Sequence, residues 1–206
     1  MQGKTQGVVG EKVDALEAQL NVNSVGPSQQ QLGSLLECYQ NGRYGDAEKL
    51  AMSITQELPT HQFGWKFLGT VLKQMGKKSE AVNANQKSVA LSPQDAEAHN
   101  NLGVSLKELG RLDDSETSYA QAITLKPDYA EAYNNRGNTL KELGRLDESE
   151  ASLRQAIAYK PNFVEAHSNL GNTLKELGRL EEAEASYMQA IVLKPDYAEA
   201  YNNMAI

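Results

Sequence analysis

Residues 127–160, PDYAEAYNNRGNTLKELGRLDESEASLRQAIAYK, contain the pattern that decides the fold of this 206-residue chain. The preceding stretch, 93–126, is identical to it at 22 of 34 positions, and LKELGRL recurs unchanged at 106–112, 140–146 and 174–180. Five of the six prolines share this phase: Pro59, Pro93, Pro127, Pro161 and Pro195. A period of about 34 residues is typical of a solenoid built from helical pairs.

Each unit is predicted to contain two helices. Pro127 cannot continue a preceding helix, and Asp128 followed by Glu131 fits a capping box, so the first helix is expected to begin here. Gly144 suits the left-handed conformation that follows the last turn of a helix. The carboxylates at 147–148 then suit the positive end of a second helix.

Apolar residues at helical spacing predict the faces on which these helices pack, and the small residues Gly137 and Ser149 predict a close approach of the two helices. The residues that define the motif are Tyr133, Arg136, Gly137, Leu140, Ser149, Leu153, Ala156 and Pro161, with Trp65, Leu68, Gly69, Leu72, Ala81, Ser88 and Pro93 in earlier units. On these residues the chain resembles the tetratricopeptide repeat (TPR) family over roughly 27–206. The resemblance implies an all-α TPR solenoid, a right-handed superhelix of antiparallel helix pairs. Arg136 replaces the leucine of the family and Asn85 its usual aromatic residue, which predicts locally looser packing.

The repeat period also predicts the organisation of the chain. The units are 1–26, an N-terminal tail with a short amphipathic helix at 11–20; 27–58, a divergent capping repeat; 59–92, 93–126, 127–160 and 161–194, four further repeats; and 195–206, a partial first helix of another repeat. Because this last helix has no polar cap, we expect that the chain is a fragment of a longer protein, or that its open end is covered by another copy.

Composition excludes several classes of function. The net charge is −7, divided into +1 over residues 1–92 and −8 over 93–206, which argues against binding to nucleic acid or to an anionic membrane. One cysteine, Cys38, and three histidines cannot supply an internal disulfide or a four-ligand zinc site, so no metal or cofactor is predicted. No export signal or membrane span is apparent, and a cytoplasmic location is expected.

The TPR resemblance also implies where a partner binds. In that family, six positions of each first helix line a concave groove that holds extended peptides. Here the groove residues are Asn100, Asn101, Asn134, Asn135, Asn138, Asn169, Asn172, Asn202, Asn203, Glu97, Glu131, Glu165, Lys107, Lys141 and Lys175.

An Asn amide can pair with both the N–H and the C=O of a peptide backbone, so this Asn-rich, mildly acidic groove is predicted to bind a polar or basic extended segment. The alternative is that Asn101, Asn135 and Asn169 only bridge neighbouring helices or face solvent. The glutamates have an alternative too, because Glu131 can cap its own helix.

The predicted function is therefore that of a non-catalytic scaffold for protein–protein interaction. Phosphate-loop, GxSxG, HExxH and CxxC motifs are all missing from the sequence. A clamp for the acidic tails of chaperones is excluded, because Glu97 and Glu131 stand where that clamp needs cations.

Two alternatives stay open. The stretches HNNLGVSLKELG (99–110) and YNNRGNTLKELG (133–144) are similar to the TPR arms of O-linked N-acetylglucosamine transferases. The chain is thus a candidate substrate-recognition arm of a glycosyltransferase- or sulfotransferase-type enzyme. The second alternative is self-assembly into a homo-oligomer through the open C-terminal helix.

Overall fold

A computed structural model describes residues 26–204, and this part of the chain is an array of α-helices without β-strands. The helices are α1 (Gln29–Gln40), α2 (Tyr44–Glu57), α3 (Gln62–Gln74), α4 (Lys78–Leu91), α5 (Ala96–Glu108), α6 (Leu112–Leu125), α7 (Ala130–Glu142), α8 (Leu146–Tyr159), α9 (Val164–Glu176), α10 (Leu180–Leu193) and α11 (Ala198–Met204). The predicted all-α solenoid is confirmed. The helix expected at 11–20 lies outside the described residues, and the unit boundaries at the in-phase prolines remain a proposal.

The helices are arranged so that one face of the array is concave. Each helix packs against the next, and from α3 onward every odd-numbered helix also contacts the following odd-numbered helix. Within residues 26–204, the even-numbered helices make no comparable contact with one another. The array therefore curves with the odd-numbered helices on its inner side, which we call the concave face.

Glycine ends each complete odd-numbered helix. The five glycines after α1, α3, α5, α7 and α9 have φ between 69° and 81°: they are Gly42, Gly76, Gly110, Gly144 and Gly178. After α7, the N–H of Gly144 donates to the carbonyl of Lys141 and the N–H of Arg145 donates to that of Leu140, both at 2.9 Å. These bonds satisfy carbonyls that the helix end leaves without a partner, and the sharp turn sends α8 back along α7.

Small residues let the two helices of a unit approach closely. A Cβ atom on Gly137 would lie only 2.6 Å from Cγ of Leu153, and one on Gly103 would lie 2.6 Å from Cε1 of Tyr119. The buried Ser149 hydroxyl donates to the Gly137 carbonyl at 2.8 Å. The predicted close approach at Gly137 and Ser149 is confirmed.

The predicted capping box of α7 is wrong. The residue that flanks this helix is Tyr129, so Asp128 lies one position too early to cap it, and the Tyr129 side chain makes no capping hydrogen bond. Glu131 accepts a hydrogen bond from Lys160 at 2.7 Å instead. In α5 the position aligned with Tyr129 is occupied by Asp95, whose carboxylate does accept two backbone N–H groups of its helix.

The two departures from the family pattern have different outcomes. The half-buried Arg136 binds Glu116 through two nitrogens, at 2.8 and 2.6 Å, so the position is closed by an ion pair rather than left loose. Asn85 is 2% exposed and donates to the Ser105 hydroxyl at 2.8 Å, but its Oδ1 has no hydrogen-bond partner among the described residues. The Arg136 position is thus closed by an ion pair, and the Asn85 side chain packs closely against Gly69 but leaves one amide oxygen unpaired among the described residues.

Candidate functional site

The predicted groove residues lie on α5, α7, α9 and α11, the odd-numbered helices of the concave face. Asn100 and Asn134 are buried; Asn101, Asn135, Asn138, Asn169, Asn172, Asn203, Lys107, Lys141 and Lys175 are half-buried; Glu97, Glu131, Glu165 and Asn202 are exposed. The fold therefore brings positions that are far apart in sequence onto adjacent helices. Asn100 and Asn134 do not face solvent.

Asn side chains form hydrogen bonds between neighbouring odd-numbered helices. Nδ2 of Asn135 donates to Oδ1 of Asn100 at 3.1 Å, and Nδ2 of Asn169 donates to Oδ1 of Asn134 at 2.9 Å. We call these two bonds the Asn ladder. Part of the Asn set thus bridges helices, which is the alternative that the sequence left open, while the Asn101 side chain makes no hydrogen bond among the described residues.

The Asn ladder stops at α9. There the position aligned with Asn100 and Asn134 is occupied by Ser168, whose hydroxyl is buried and has no partner among the described residues. On α11, the aligned side chain of Asn203 makes no bond equivalent to those of the ladder in this part of the chain. A serine is too short to reproduce the Asn–Asn geometry, so the last step of the ladder is missing.

Lysines and glutamates form a second set of contacts along the concave face. Lys107 pairs with Glu142 at 3.0 Å and Lys141 pairs with Glu176 at 3.3 Å, each between adjacent odd-numbered helices. Nζ of Lys175 donates to the backbone carbonyl of Asn203 at 3.2 Å. The predicted groove lysines are therefore engaged, and two of them are neutralised by carboxylates of the same face.

The glutamates near the start of α5 and α7 are paired with lysines of the protein, which reduces the negative charge that they offer to a partner. Glu97 pairs with Lys66 at 2.6 Å, and Glu131 pairs with Lys160 at 2.7 Å. Burial acts to raise the pKa of Glu131, but the bond from Lys160 and nearby positive charge outweigh it and lower the pKa. Both carboxylates are thus already matched by a cation of the protein itself.

Among the glutamates near the start of these helices, those without an ion-pair partner within the described residues lie at the C-terminal part of the face. Glu165 and Glu199 are exposed and form no ion pair within residues 26–204. The Tyr197 hydroxyl donates to Glu199 at 2.8 Å, and burial together with these two carboxylates raises the pKa of Tyr197 to about 12. The tyrosine therefore remains a neutral donor at physiological pH.

An open depression of about 480 Å³ lies at this C-terminal part. Its lining consists of Lys141, Asn172, Lys175, Glu176, Glu199 and Asn203. Oδ1 of Asn172 already accepts a bond from the Tyr187 hydroxyl at 2.8 Å. The depression is shallow and polar, which suits a side chain of an extended partner better than an enclosed small molecule.

The sequence reasoning missed the N-terminal end of the concave face. Counting back one unit from Glu97 and Asn101 gives Phe63 and Phe67 on α3, and counting back from Lys73 gives Tyr39 on α1. We call Tyr39, Phe63 and Phe67 the aromatic platform. The same spacing that located the asparagines would have revealed it, had the groove positions been followed into the divergent units.

The histidines and the tryptophan have a packing role. Nε1 of Trp65 donates to the Pro59 carbonyl at 3.0 Å, and Nε2 of His167 lies 2.9 Å from the Pro161 carbonyl. His99 makes the same contact with Pro93 at 3.0 Å. A carbonyl can only accept, so Nε2 carries the proton in both imidazoles, and each ring ties a helix to the proline that opens its own unit.

Within the described residues, no group of three or more His, Cys, Asp and Glu side chains is placed to hold a metal ion. No helix of residues 26–204 combines the length and the apolar character that a membrane crossing requires.

The repeat, the glycine turns and the paired helices agree with a family comparison. The family model described as TPR repeat matches residues 69–110, 105–144, 137–178 and 171–206, which together cover more than half of the chain. The chain belongs to the TPR family. No curated protein matches it significantly over its sequence.

Solved TPR structures share this fold. A thermophilic TPR protein of Thermus thermophilus is 26% identical, with a TM-score of 0.70 over 86% of this chain and 96% of that one. YrrB, described as a TPR protein with an unusual peptide-binding site, is 18% identical, with a TM-score of 0.70 over 87% and 93%. MamA from Desulfovibrio magneticus RS-1 is 16% identical, with a TM-score of 0.74 over 82% and 96%.

Proposed function

We propose that this TPR protein is a non-catalytic scaffold that binds an extended peptide or protein segment along its concave face. The observation that carries the proposal is the hydrogen-bonding capacity left on the Asn side chains. Asn135 and Asn169 each use one N–H in the Asn ladder, while the side chains of Asn101 and Asn138 make no hydrogen bond among the described residues. Amide groups held in place on one side and open on the other can pair with a peptide backbone.

The groove favours a polar segment, and basic side chains at its C-terminal part. Along α5 and α7 the lysines and glutamates largely neutralise one another, so no strong charge selection arises there. Glu165 and Glu199 are the exposed carboxylates that a basic side chain of the partner would meet. The peptide-binding site ascribed to YrrB supports the proposal by fold analogy only. A cytoplasmic location remains part of the proposal.

The test uses a displayed library of random dodecapeptides selected on the full chain, with the best binders labelled with fluorescein. The double variant Asn101→Ala, Asn138→Ala removes groove amides without breaking a hydrogen bond inside the protein. We expect it to raise the Kd of selected peptides about 30-fold, since each of the two lost bonds contributes about 1 kcal/mol. The matched control, Gln121→Ala with Gln155→Ala, changes exposed amides of α6 and α8. Equal Kd values for both double variants would contradict the groove assignment.

Self-assembly is a second candidate, because α10 and α11 expose large apolar side chains. Val192 is 68% exposed, and Met188 and Tyr201 are each 46% exposed. Sedimentation of the full chain is expected to show an oligomer that Tyr201→Glu dissociates. A monomer at high concentration would contradict this candidate. The role of substrate-recognition arm in a larger enzyme remains a prediction that the sequence of the full gene would decide.

A further inference from the structure

We infer that the aromatic platform is an anchor site for a large apolar side chain at one end of the bound segment. This inference rests on the proposed function and adds the chemistry of the partner. The groove positions that hold Glu97 and Asn101 on α5 hold Phe63 and Phe67 on α3. The partner would therefore meet rings at the N-terminal end of the face and amides farther along it.

The geometry of the rings supports an accessible anchor site. The ring centroids of Phe63 and Phe67 are 5.9 Å apart, and those of Tyr39 and Phe67 are 5.6 Å apart with the planes inclined at 74°. All three side chains pack against the N-terminal core, which holds them in place, and each keeps part of its surface exposed. Preordered aromatic faces bury an apolar side chain at low conformational cost.

Space is available at the equivalent groove position of α1. Gly33 occupies on α1 the position that Phe67 occupies on α3, and a Cβ atom built on it would meet no heavy atom of the described residues within 4 Å. On α5, α7 and α9 the same position carries an asparagine. The missing side chain at Gly33 therefore leaves the equivalent groove position of α1 open to a group that comes from the partner.

Charge beside the platform also disfavours an acidic group. Lys66, the cation between the two phenylalanines on α3, is only 17% exposed and is bound by Asp95 at 3.0 Å and by Glu97 at 2.6 Å. Its ammonium is thus neutralised within the protein. An apolar side chain matches the rings, whereas an acidic one would lose hydration beside two carboxylates without gaining an ion pair.

The occupant is a partner segment because the platform continues directly into the polar groove. Lys66 lies on the same helix as the rings and joins them, through Glu97, to the first polar step of α5. A single extended chain can place an apolar side chain on the rings and its backbone against Asn101 and Asn138. The bound segment would then carry a phenylalanine, tryptophan, leucine or isoleucine at one end and polar residues beyond it.

The experiment repeats the random dodecapeptide selection on the full chain and on the double variant Phe63→Glu, Phe67→Asn. These substitutions introduce the residues that other units carry at the same positions, so the fold accommodates them; circular dichroism checks this. Peptides selected by the unaltered chain are expected to share a large apolar residue near one end, and the variant should lose that preference. Changing this residue of the peptide to alanine should raise Kd about 10-fold on the unaltered chain and less than about 2-fold on the variant.

Four results would overturn the inference. Peptides selected without an apolar preference would refute the anchor while leaving the proposed groove intact, whereas a selection that yields no binder would refute both. A preference that emerges only in Leu16→Asp with Leu20→Asp would assign the platform to the N-terminal segment of this chain. Loss of an oligomer in Phe63→Glu, Phe67→Asn would assign it to a second copy.

Discussion

The two ends of the concave face occupy equivalent places in the repeat and differ in chemistry. The end formed by α1 and α3 presents the aromatic platform, whereas α7 and α9 present the Asn ladder and paired lysines and glutamates. The packing positions behind the two ends are similar, since Gly69 of α3 and Gly137 of α7 each contact a side chain of the following helix. Helix packing and groove chemistry therefore depend on separate positions. The residues that line the groove can change while the residues that pack the helices are kept.

The largest expected effect separates a packing glycine from a groove glycine. Gly137→Ala places a methyl group against Leu153 and should lower the free energy of unfolding by about 1–3 kcal/mol. Gly33→Ala, in open space on α1, should raise it by about 0.5–1 kcal/mol because alanine favours the helix. Urea denaturation measures both. If the two substitutions changed the free energy of unfolding in the same direction and by a similar amount, the distinction between packing and groove positions would be wrong.

The next effect separates two asparagines of the polar end. Asn135→Ala leaves the buried Oδ1 of Asn100 without its donor and should lower the free energy of unfolding by about 1–2 kcal/mol. Asn101→Ala breaks no side-chain bond among the described residues and should change it by less than about 0.5 kcal/mol. Thermal unfolding of the two variants gives the comparison. If Asn101→Ala proved the more destabilising, the ladder would not contribute as its geometry indicates.

A third test compares the cores behind the two ends. Ser88 is fully buried with no hydrogen-bond partner in the described chain, and the aligned residues on α6, α8 and α10 are alanines. Ser88→Ala should therefore raise the free energy of unfolding by about 1 kcal/mol. Ser149→Ala, which removes the bond to Gly137, should lower it by a similar amount of about 1 kcal/mol. The denaturant midpoint is expected to rise in Ser88→Ala and to fall in Ser149→Ala. A loss of stability in both variants would contradict this account.

The smallest effect concerns the pair between Glu131 and Lys160. The pKa of Glu131 is lowered on folding, so the ionised form is favoured by the native state. Its contribution is present above the ordinary value of 4.5 and disappears as the pH falls through the lowered pKa. Glu131→Gln should cost at most about 0.5 kcal/mol at neutral pH and nothing in strong acid. The free energies of unfolding of Glu131→Gln and of the unaltered chain, measured from neutral to strongly acidic pH, test this. A destabilisation by Glu131→Gln that grows on acidification would contradict the lowered pKa of Glu131.

The sequence was sufficient to predict the repeating frame. The 34-residue phase of the prolines, the glycines that end helices and the small residues at Gly137 and Ser149 each act through local or nearest-neighbour geometry. Such geometry repeats with the sequence. The left-handed conformation of Gly144 is therefore as predictable as the identity of the residue.

The contacts of the groove side chains were less predictable, because each side chain has more than one possible partner and the repeat does not specify which one it binds. Glu131 could bond its own helix or Lys160, and only the position of Tyr129 at the start of α7 decides for the lysine. Asn135 could face a ligand or Asn100, which depends on the distance between two helices. Phe63 and Phe67 were overlooked because their unit departs from the repeated pattern.

The two bonds of the Asn ladder and the two lysine–glutamate pairs of the concave face join residues 35 positions apart in sequence, one more than the length of the repeat. A tandem duplication of one unit would copy a donor and an acceptor together. The side chains of the new unit could then form the same hydrogen bonds and ion pairs with the unit before it and the unit after it, without any compensating mutation. The array can therefore grow by gene duplication, and the near-identity of 93–126 and 127–160 is what such recent growth would leave behind.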